Sequence, residues 1–224
     1  MKEILIDPHV HTYEVSPCGK VPAAQMIELY RAAGYACVCV TDHYYNHHFE
    51  KMGDIPWREK VAQYIRGYEA AADAGKKLGV RVLFGQEMRF FDSINDYIVF
   101  GFSPDDLVRY PELFNMTLAE YSAFARAHGA FLFQAHPFRS PCVPADPVLL
   151  DGMEVYNGHP DHANHNGLAL AYAEEHHLPQ FSGTDFHRWH HLARGGLSLR
   201  EFPEDEKAFV QMLKSYDIVR LVQT

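Results

Sequence analysis

No stretch of about 18 or more apolar residues occurs in this 224-residue sequence, which excludes an ordinary membrane-spanning helix. The N-terminal segment MKEILIDPHVHT lacks the long apolar region of a signal peptide, so the expected location is cytoplasmic. Cysteine is scarce: Cys18, Cys37, Cys39 and Cys142 form no C-x-x-C pair and no disulfide-framework spacing. Cys37 and Cys39 lie in the apolar run YACVCV and read as small buried hydrophobes. Positive charge is also short, with 20 Lys and Arg against 29 Asp and Glu and a formal net charge of -9. That balance argues against a general nucleic-acid or anionic-membrane binder. It leaves room for a phosphorylated substrate, because bound metals and a few local arginines can make one pocket positive. Internal repeats, low-complexity tracts and obvious linkers are missing too, and residues 1–224 are expected to form a single domain.

What the chain has in excess is histidine, fifteen in all. Two of them stand in DPHVHT, where His9 and His11 end the first strand-like run, KEILID. Residues i and i+2 of a strand point to the same face, so the two imidazoles are placed side by side. Further along, short apolar runs alternate with helical periodicity. PAAQMIELYRAAG reads as a helix ending at Gly34, and a long helix is expected from about Trp57 to Leu78, ending at Gly79. Thr117 with Glu120 forms a capping-box signature before TLAEYSAFARAHG. LALAYAEEHH and a stretch from about Glu204 to Ser215 read as helices. YACVCV, VRVLFGQE, DYIVFGF, AFLFQ, GMEVYN, PQFSG, GLSLREF and IVRLVQ read as strands. The alternation predicts an α/β protein with a mostly parallel sheet covered on both faces.

Nearly every strand delivers a polar residue of metal-ligand type at its end. His9 and His11 follow the first, Asp42 and His43 the second, and Glu87 the third. Asp96 precedes the fourth, and His136 follows the next. Glu154 and Asn157 come next, then Asp185 and His187. Active sites of parallel α/β folds and barrels lie at the carboxyl ends of their strands, so these residues are expected to converge. Imidazoles mixed with carboxylates suit zinc, manganese or iron better than calcium or magnesium alone. The donors outnumber what one tetrahedral ion needs, and a carboxylate such as Glu87 can bridge two ions in a hydrolytic centre.

The set D-x-H-x-H (Asp7, His9, His11), T-D-H (Thr41 to His43), G-x-E (Gly85 to Glu87), A-H-P (Ala135 to Pro137), E-x-x-N-G (Glu154 to Gly158) and G-T-D-x-H (Gly183 to His187) resembles the PHP family, the polymerase-and-histidinol-phosphatase metallohydrolases. The resemblance implies a distorted (β/α)7 TIM-like barrel with two or three divalent metal ions at its mouth. By that likeness His9, His11, Glu87 and Asp185 hold one ion. Glu87 bridges to a second with His136, and His43 and His187 serve a third. Two departures stand out. The loop EVSPCGK lacks the histidine that completes the third site in some relatives, so that ion is absent, weak, or completed by water, substrate or Cys18. The strand NDYIVFGFSP lacks a further histidine, leaving Asp96 as the candidate ligand; its other reading is a turn residue entering the strand.

The resemblance points to a metal-dependent phosphoesterase acting on a small phosphorylated metabolite. Arg139, close after His136, and Arg194, after the last ligand strand, are the candidate phosphate contacts, with Asn157 beside them. Asp42 and His187 are the candidate catalytic residues. Asp42 and Asn157 would orient ligands from behind, while His187, or His43 in its place, would protonate the leaving group if the third ion is missing. The loop GHPDHANHN is expected at the rim, with His159, His162, His165, His190 and His191 read as surface histidines. Hydrolysis of an amide or other non-phosphate bond, and a non-catalytic metal-binding module, are the competing readings.

Overall fold

In this computed structural model, which describes residues 3–224, the strands are β1 (Ile4–Val10), β2 (Cys37–Val40), β3 (His43–Tyr44), β4 (Arg81–Met88), β5 (Tyr97–Phe100), β6 (Phe131–Gln134), β7 (Gly152–Asn157), β8 (Gln180–Gly183), β9 (Gly195–Leu199) and β10 (Ile218–Gln223). The helices are α1 (Ala23–Ala32), α2 (Asn46–Glu50), α3 (Trp57–Tyr64), α4 (Arg66–Leu78), α5 (Pro104–Arg109), α6 (Leu118–Ala127), α7 (Asn166–Glu175) and α8 (Glu206–Ser215). None of the described helices is long and apolar enough to cross a membrane.

The sheet runs β1-β2-β4-β5-β6-β7-β8 and nearly closes on itself, with a parallel bridge from Val10 to Phe186. This is the distorted TIM-like barrel expected from the motifs. It is less parallel than expected, because β5 lies antiparallel to both β4 and β6. A parallel crossover needs a dozen or more residues, and residues 89–96 are too few for one. The reversal brings the start of β5 to the rim where the other strands end, which is why Asp96 precedes its strand. Outside the ring, β9 pairs antiparallel with β1, and β10 with β9.

Alternation along the strands sorts the core. Ile6, Cys37, Cys39, Leu83, Ile98, Phe133 and Phe181 pack in one cluster, while Val10, Val38, Val40 and Val82 pack with Met26, Ile27, Tyr30, Ala71 and Ala74 of α1 and α4. Both cysteines are fully buried, as the apolar run predicts. The expected helix from Trp57 to Leu78 is two helices, broken at Ile65. The Thr117–Glu120 capping box forms, and Gly79 ends α4 in the left-handed conformation.

Barrel closure between β1 and β8 depends on Asp7. Its carboxylate accepts from the backbone N–H groups of His9 (3.2 Å) and Thr184 (3.1 Å), and from the hydroxyls of Tyr30 (2.6 Å) and Thr184 (2.5 Å). Burial pushes the Asp7 carboxyl up to about 6 even against those hydrogen bonds. Gly183 is required beside it, since a Cβ there would meet His9 Cβ at 2.5 Å and Glu154 Oε1 at 2.9 Å.

Candidate metal centre

At the rim formed by the ends of β1, β4, β6 and β8, His9, His11, Glu87 and Asp185 converge and are buried. His9 Nε2 and His11 Nε2 are 3.2 Å apart. Glu87 lies 3.3 Å from each of these nitrogens, and Asp185 Oδ1 lies 3.4 Å from the first and 3.2 Å from the second. Donors held about 2.0–2.2 Å from a tetrahedral zinc ion lie roughly 3.3–3.6 Å from one another, so these separations match a shared cation.

Each ring is turned so that its Nε2 faces this centre. Glu154 Oε1 accepts from His9 Nδ1 at 2.9 Å. Ser16 donates its hydroxyl to Asp42 at 2.6 Å, which leaves its oxygen to accept from His11 Nδ1 at 3.3 Å. Carboxylate-to-histidine contacts of this kind fix the tautomer of a ligating imidazole. Asp185 sits at φ 52 and His136 at φ 29, a region that residues other than glycine seldom occupy and that clusters at functional sites.

Burial opposes the charged forms of His9 and His43, but Glu154 at the first and Glu87 at the second raise both well above the ordinary imidazole value. Burial opposes ionisation of Glu87, but His43, His9 and His11 outweigh it and hold the carboxyl well below the usual range. Burial likewise opposes Asp185, and His9, Arg139 and His187 hold it well below. Burial and then His187 lower His11 to about 3, so it stays neutral. Glu87 Oε2 and His43 Nδ1 approach to 2.6 Å but are not aligned to hydrogen-bond, and neither atom has another partner. Two buried ligand atoms without hydrogen-bond partners, converging with further imidazole and carboxylate donors, are what a divalent cation would satisfy. The donor set therefore fits the metal reading.

Two further groups of donors flank the centre. On one side His11, Cys18, His43 and His187 place one ligand atom each within 4.8 Å of one another. On the other side Asp96, His136 and Cys142 do the same. His136 Nε2 is 3.0 Å from Glu87 Oε1 and 4.0 Å from Asp96 Oδ2. Asp96 is also held by Arg89 through two hydrogen bonds of 2.8 and 2.7 Å.

Except for His9 and His11, which lie buried beneath it, these donors line a cleft of about 640 Å3 together with Lys20, Arg89, Arg139, His159, His162 and Arg188. A larger groove of about 940 Å3 lies by the start of β4, lined by Tyr68, Arg81 and Glu206 among others, at the opposite end of that strand from Glu87.

Several sequence assignments change. Asp42 is not a cleft-lining catalytic group but keeps the orienting role expected of it: its oxygens are taken by Thr12 N (2.8 Å), Thr12 Oγ1 (2.6 Å) and Ser16 Oγ (2.6 Å), so it positions the loop behind His11. Asn157 lies behind the site, donating to Glu154 Oε2 (2.8 Å) and Asp185 Oδ2 (3.4 Å) and accepting from Arg139 (2.7 Å). Arg194 is away from the cleft, its backbone packed near Gly158 and accepting from Thr224. Arg139 lines the cleft but is already engaged by Asp185 (2.7 Å), Asn157 and Asn164. Sequence reading missed Lys20, Arg188 and Cys142; Arg188 adjoins His187, a signal that was there to use. His159 and His191 are buried rather than on the surface, and His191 Nδ1 accepts from the His187 N–H at 3.1 Å.

No family model matches the sequence, and no curated protein matches it. Solved structures do. A two-domain protein of Bacteroides vulgatus containing a predicted PHP-like metal-dependent phosphoesterase aligns at TM-score 0.66 and 16% identity, over 97% of this chain and 64% of its own. This chain therefore spans less than two thirds of that protein. A putative metal-dependent phosphoesterase of Bifidobacterium adolescentis aligns at TM-score 0.54 and 18% identity, over 82% of this chain and 87% of its own. An amidohydrolase of Chromobacterium violaceum, solved with sulfate and no metal, aligns at TM-score 0.54 and 15% identity, over 96% and 97%. The chain has the barrel fold of PHP-like phosphoesterases and amidohydrolases. Within that class, the motif resemblance and the fold of the first two neighbours agree on the PHP-like barrel.

Proposed function

We propose that this protein is a metal-dependent hydrolase of phosphate esters, with a small soluble phosphomonoester as its substrate. The observation carrying the proposal is the convergence of His9, His11, Glu87 and Asp185, flanked by two further donor groups, at the floor of a cleft lined by Lys20, Arg89, Arg139 and Arg188.

His9, His11, Glu87 and Asp185 would hold one ion, with His136 and Asp96 serving a second beside Glu87, and His43 and His187 a third. Zinc, manganese or iron suits these donors. When bound, such ions activate water and neutralise a phosphoryl group. Glu154 keeps the proton on His9 Nδ1, and Ser16 with Asp42 keeps it on His11 Nδ1, so both rings present Nε2 inward. His187 Nδ1 donates to the Asp185 carbonyl at 2.7 Å, which turns its Nε2 toward the cleft. If His187 holds no ion, that nitrogen is the one placed to pass a proton to the leaving group. Lys20 and Arg188 are the cations for the phosphoryl oxygens, with Arg139 mainly holding Asp185 in place.

The test is phosphate release from an aryl phosphate by metal-reconstituted protein, with Asp185→Asn as control, since asparagine tolerates the left-handed backbone at this position. Metal-dependent release lost in the variant is expected. Release that is unaffected by the variant, or absent from fully loaded protein, would sink the proposal. The amidohydrolase neighbour favours a second reading, cleavage of an amide. An aryl or cyclic amide turned over in place of the phosphate would establish it, and tight metal binding with no turnover would leave a non-catalytic module.

A further inference from the structure

The flank of the centre nearest β1 contains a thiol among imidazoles. Cys18, in the loop between β1 and α1, places Sγ within 4.8 Å of ligand nitrogens on His11, His43 and His187. Three independent features aim this group at a cation. The His187 ring is fixed by its Nδ1 donation to the Asp185 carbonyl, so its Nε2 carries a lone pair whenever the ring is neutral. His43 Nδ1 and Glu87 Oε2 are buried side-chain atoms without hydrogen-bond partners, and Glu87 is only 1% exposed. The imidazoles of His11 and His187 stack with centroids 4.4 Å apart, and those of His11 and His43 lie 4.6 Å apart, so the three rings crowd one another on this flank.

The loop itself is held rigidly. Ser16 N donates to Thr12 O at 3.1 Å and Gly19 N to Ser16 O at 3.0 Å, on either side of Cys18. Lys20 N donates to the His187 carbonyl at 2.8 Å, tying the cysteine loop to the histidine it faces. Gly19 permits the close turn, since a Cβ there would collide with the Thr12 carbonyl.

We propose that Cys18 ligates a divalent ion through its thiolate, together with His43 and His187, making this flank a mixed sulfur–nitrogen site that selects zinc over manganese or magnesium. The proposal rests on reading the site as a metal centre and adds the ligand that the sequence left open. A thiolate is a soft donor, favoured by zinc and poorly matched to harder ions. Ligation replaces the S–H proton with the metal, so one proton leaves for each thiolate bond formed. The opposite flank differs in carrying a carboxylate, Asp96, beside His136 and Cys142.

The experiment uses the full chain loaded with cobalt(II), followed by absorption spectroscopy and metal analysis after dialysis. The wild type is expected to show a near-ultraviolet thiolate-to-cobalt charge-transfer band as well as visible d–d bands. Cys18→Ser should lose the charge-transfer intensity of this flank and about one equivalent of retained ion. Cys18→His should lose that intensity yet regain the ion. Visible bands without charge transfer, or charge transfer and ion content unchanged in Cys18→Ser, would overturn the proposal and leave the metal centre standing. Failure to bind cobalt at all would bring down both readings.

Discussion

The two flanks of the cleft share Glu87 and are otherwise built on different chemistry. The flank by β1 and β8 has His11, Cys18, His43 and His187, with no cation committed to a carboxylate among them. The flank by β5 and β6 has Asp96, His136 and Cys142, and there Arg89 already occupies Asp96 through a bidentate pair. The second flank thus carries a built-in counter-ion on its own carboxylate, which the first lacks. A protein that needs ions of unequal lability can obtain them from this difference alone.

Glu87 is the point at which to break the comparison. Its Oε1 faces His9 (3.3 Å) and His136 (3.0 Å), and its Oε2 faces His11 (3.3 Å) and His43 (2.6 Å). Glu87→Gln removes the charge shared by both flanks and is expected to abolish ion retention on each, together with turnover. Asp96→Asn should cost only the ion beside His136. Metal analysis of the two dialysed variants checks this; equal stoichiometries would show that the flanks are not separate sites.

A smaller effect should follow from the supports behind one flank. Ser16→Ala frees His11 Nδ1 and leaves Asp42 without one of its hydrogen bonds, and loss of such a support typically costs about 10- to 100-fold in metal affinity. Asn157→Ala removes the matching support behind Asp185. Competition with a chromogenic chelator measures both, and affinities within about twofold of wild type would remove the role assigned to Ser16.

Proton release separates the flanks by pH. Burial and Arg139 oppose the His136 imidazolium, yet Cys142 and Glu87 more than offset them and raise it to about 9. On the other flank burial opposes His43, and Glu87 with Cys18 raises it well above its ordinary value. A raised folded-state pKa means the proton stays on below that value, so an ion must displace it there. Metal affinity should therefore rise with pH through neutrality and level off near 9 at the His136 flank. Calorimetry in buffers of different ionisation enthalpy reads the protons released. Uptake with no released proton at pH 7 would contradict these assignments.

The centre was legible because strand ends repeat: His9, His11, Glu87, His136 and Asp185 each follow an apolar run, and a barrel leaves such positions nowhere to go but one rim. What depends on loop direction was not. Asp42 finds Thr12 and Ser16 across 30 and 26 residues of sequence, and no local pattern announces those bonds. Arg194 follows a left-handed Ala193, so its place after the last ligand strand misled, and Cys142 ends a loop that returns to His136, which no local pattern announces. The antiparallel β5 was hidden in a link too short to cross over, although the position of Asp96 before its strand was a trace of it.

Arg89→Gln gives the smallest and most discriminating change. Arg89 is 42% exposed in its pair with Asp96, so solvent screens the interaction and the pair contributes little to stability. Freeing Asp96 should tighten the ion on the β5–β6 flank by no more than about fivefold, the equivalent of about 1 kcal/mol. The same substitution removes one of the cations lining the cleft, so KM for an anionic substrate should rise while metal affinity improves. Those opposite signs separate a counter-ion from a simple structural arginine, whose loss would weaken both.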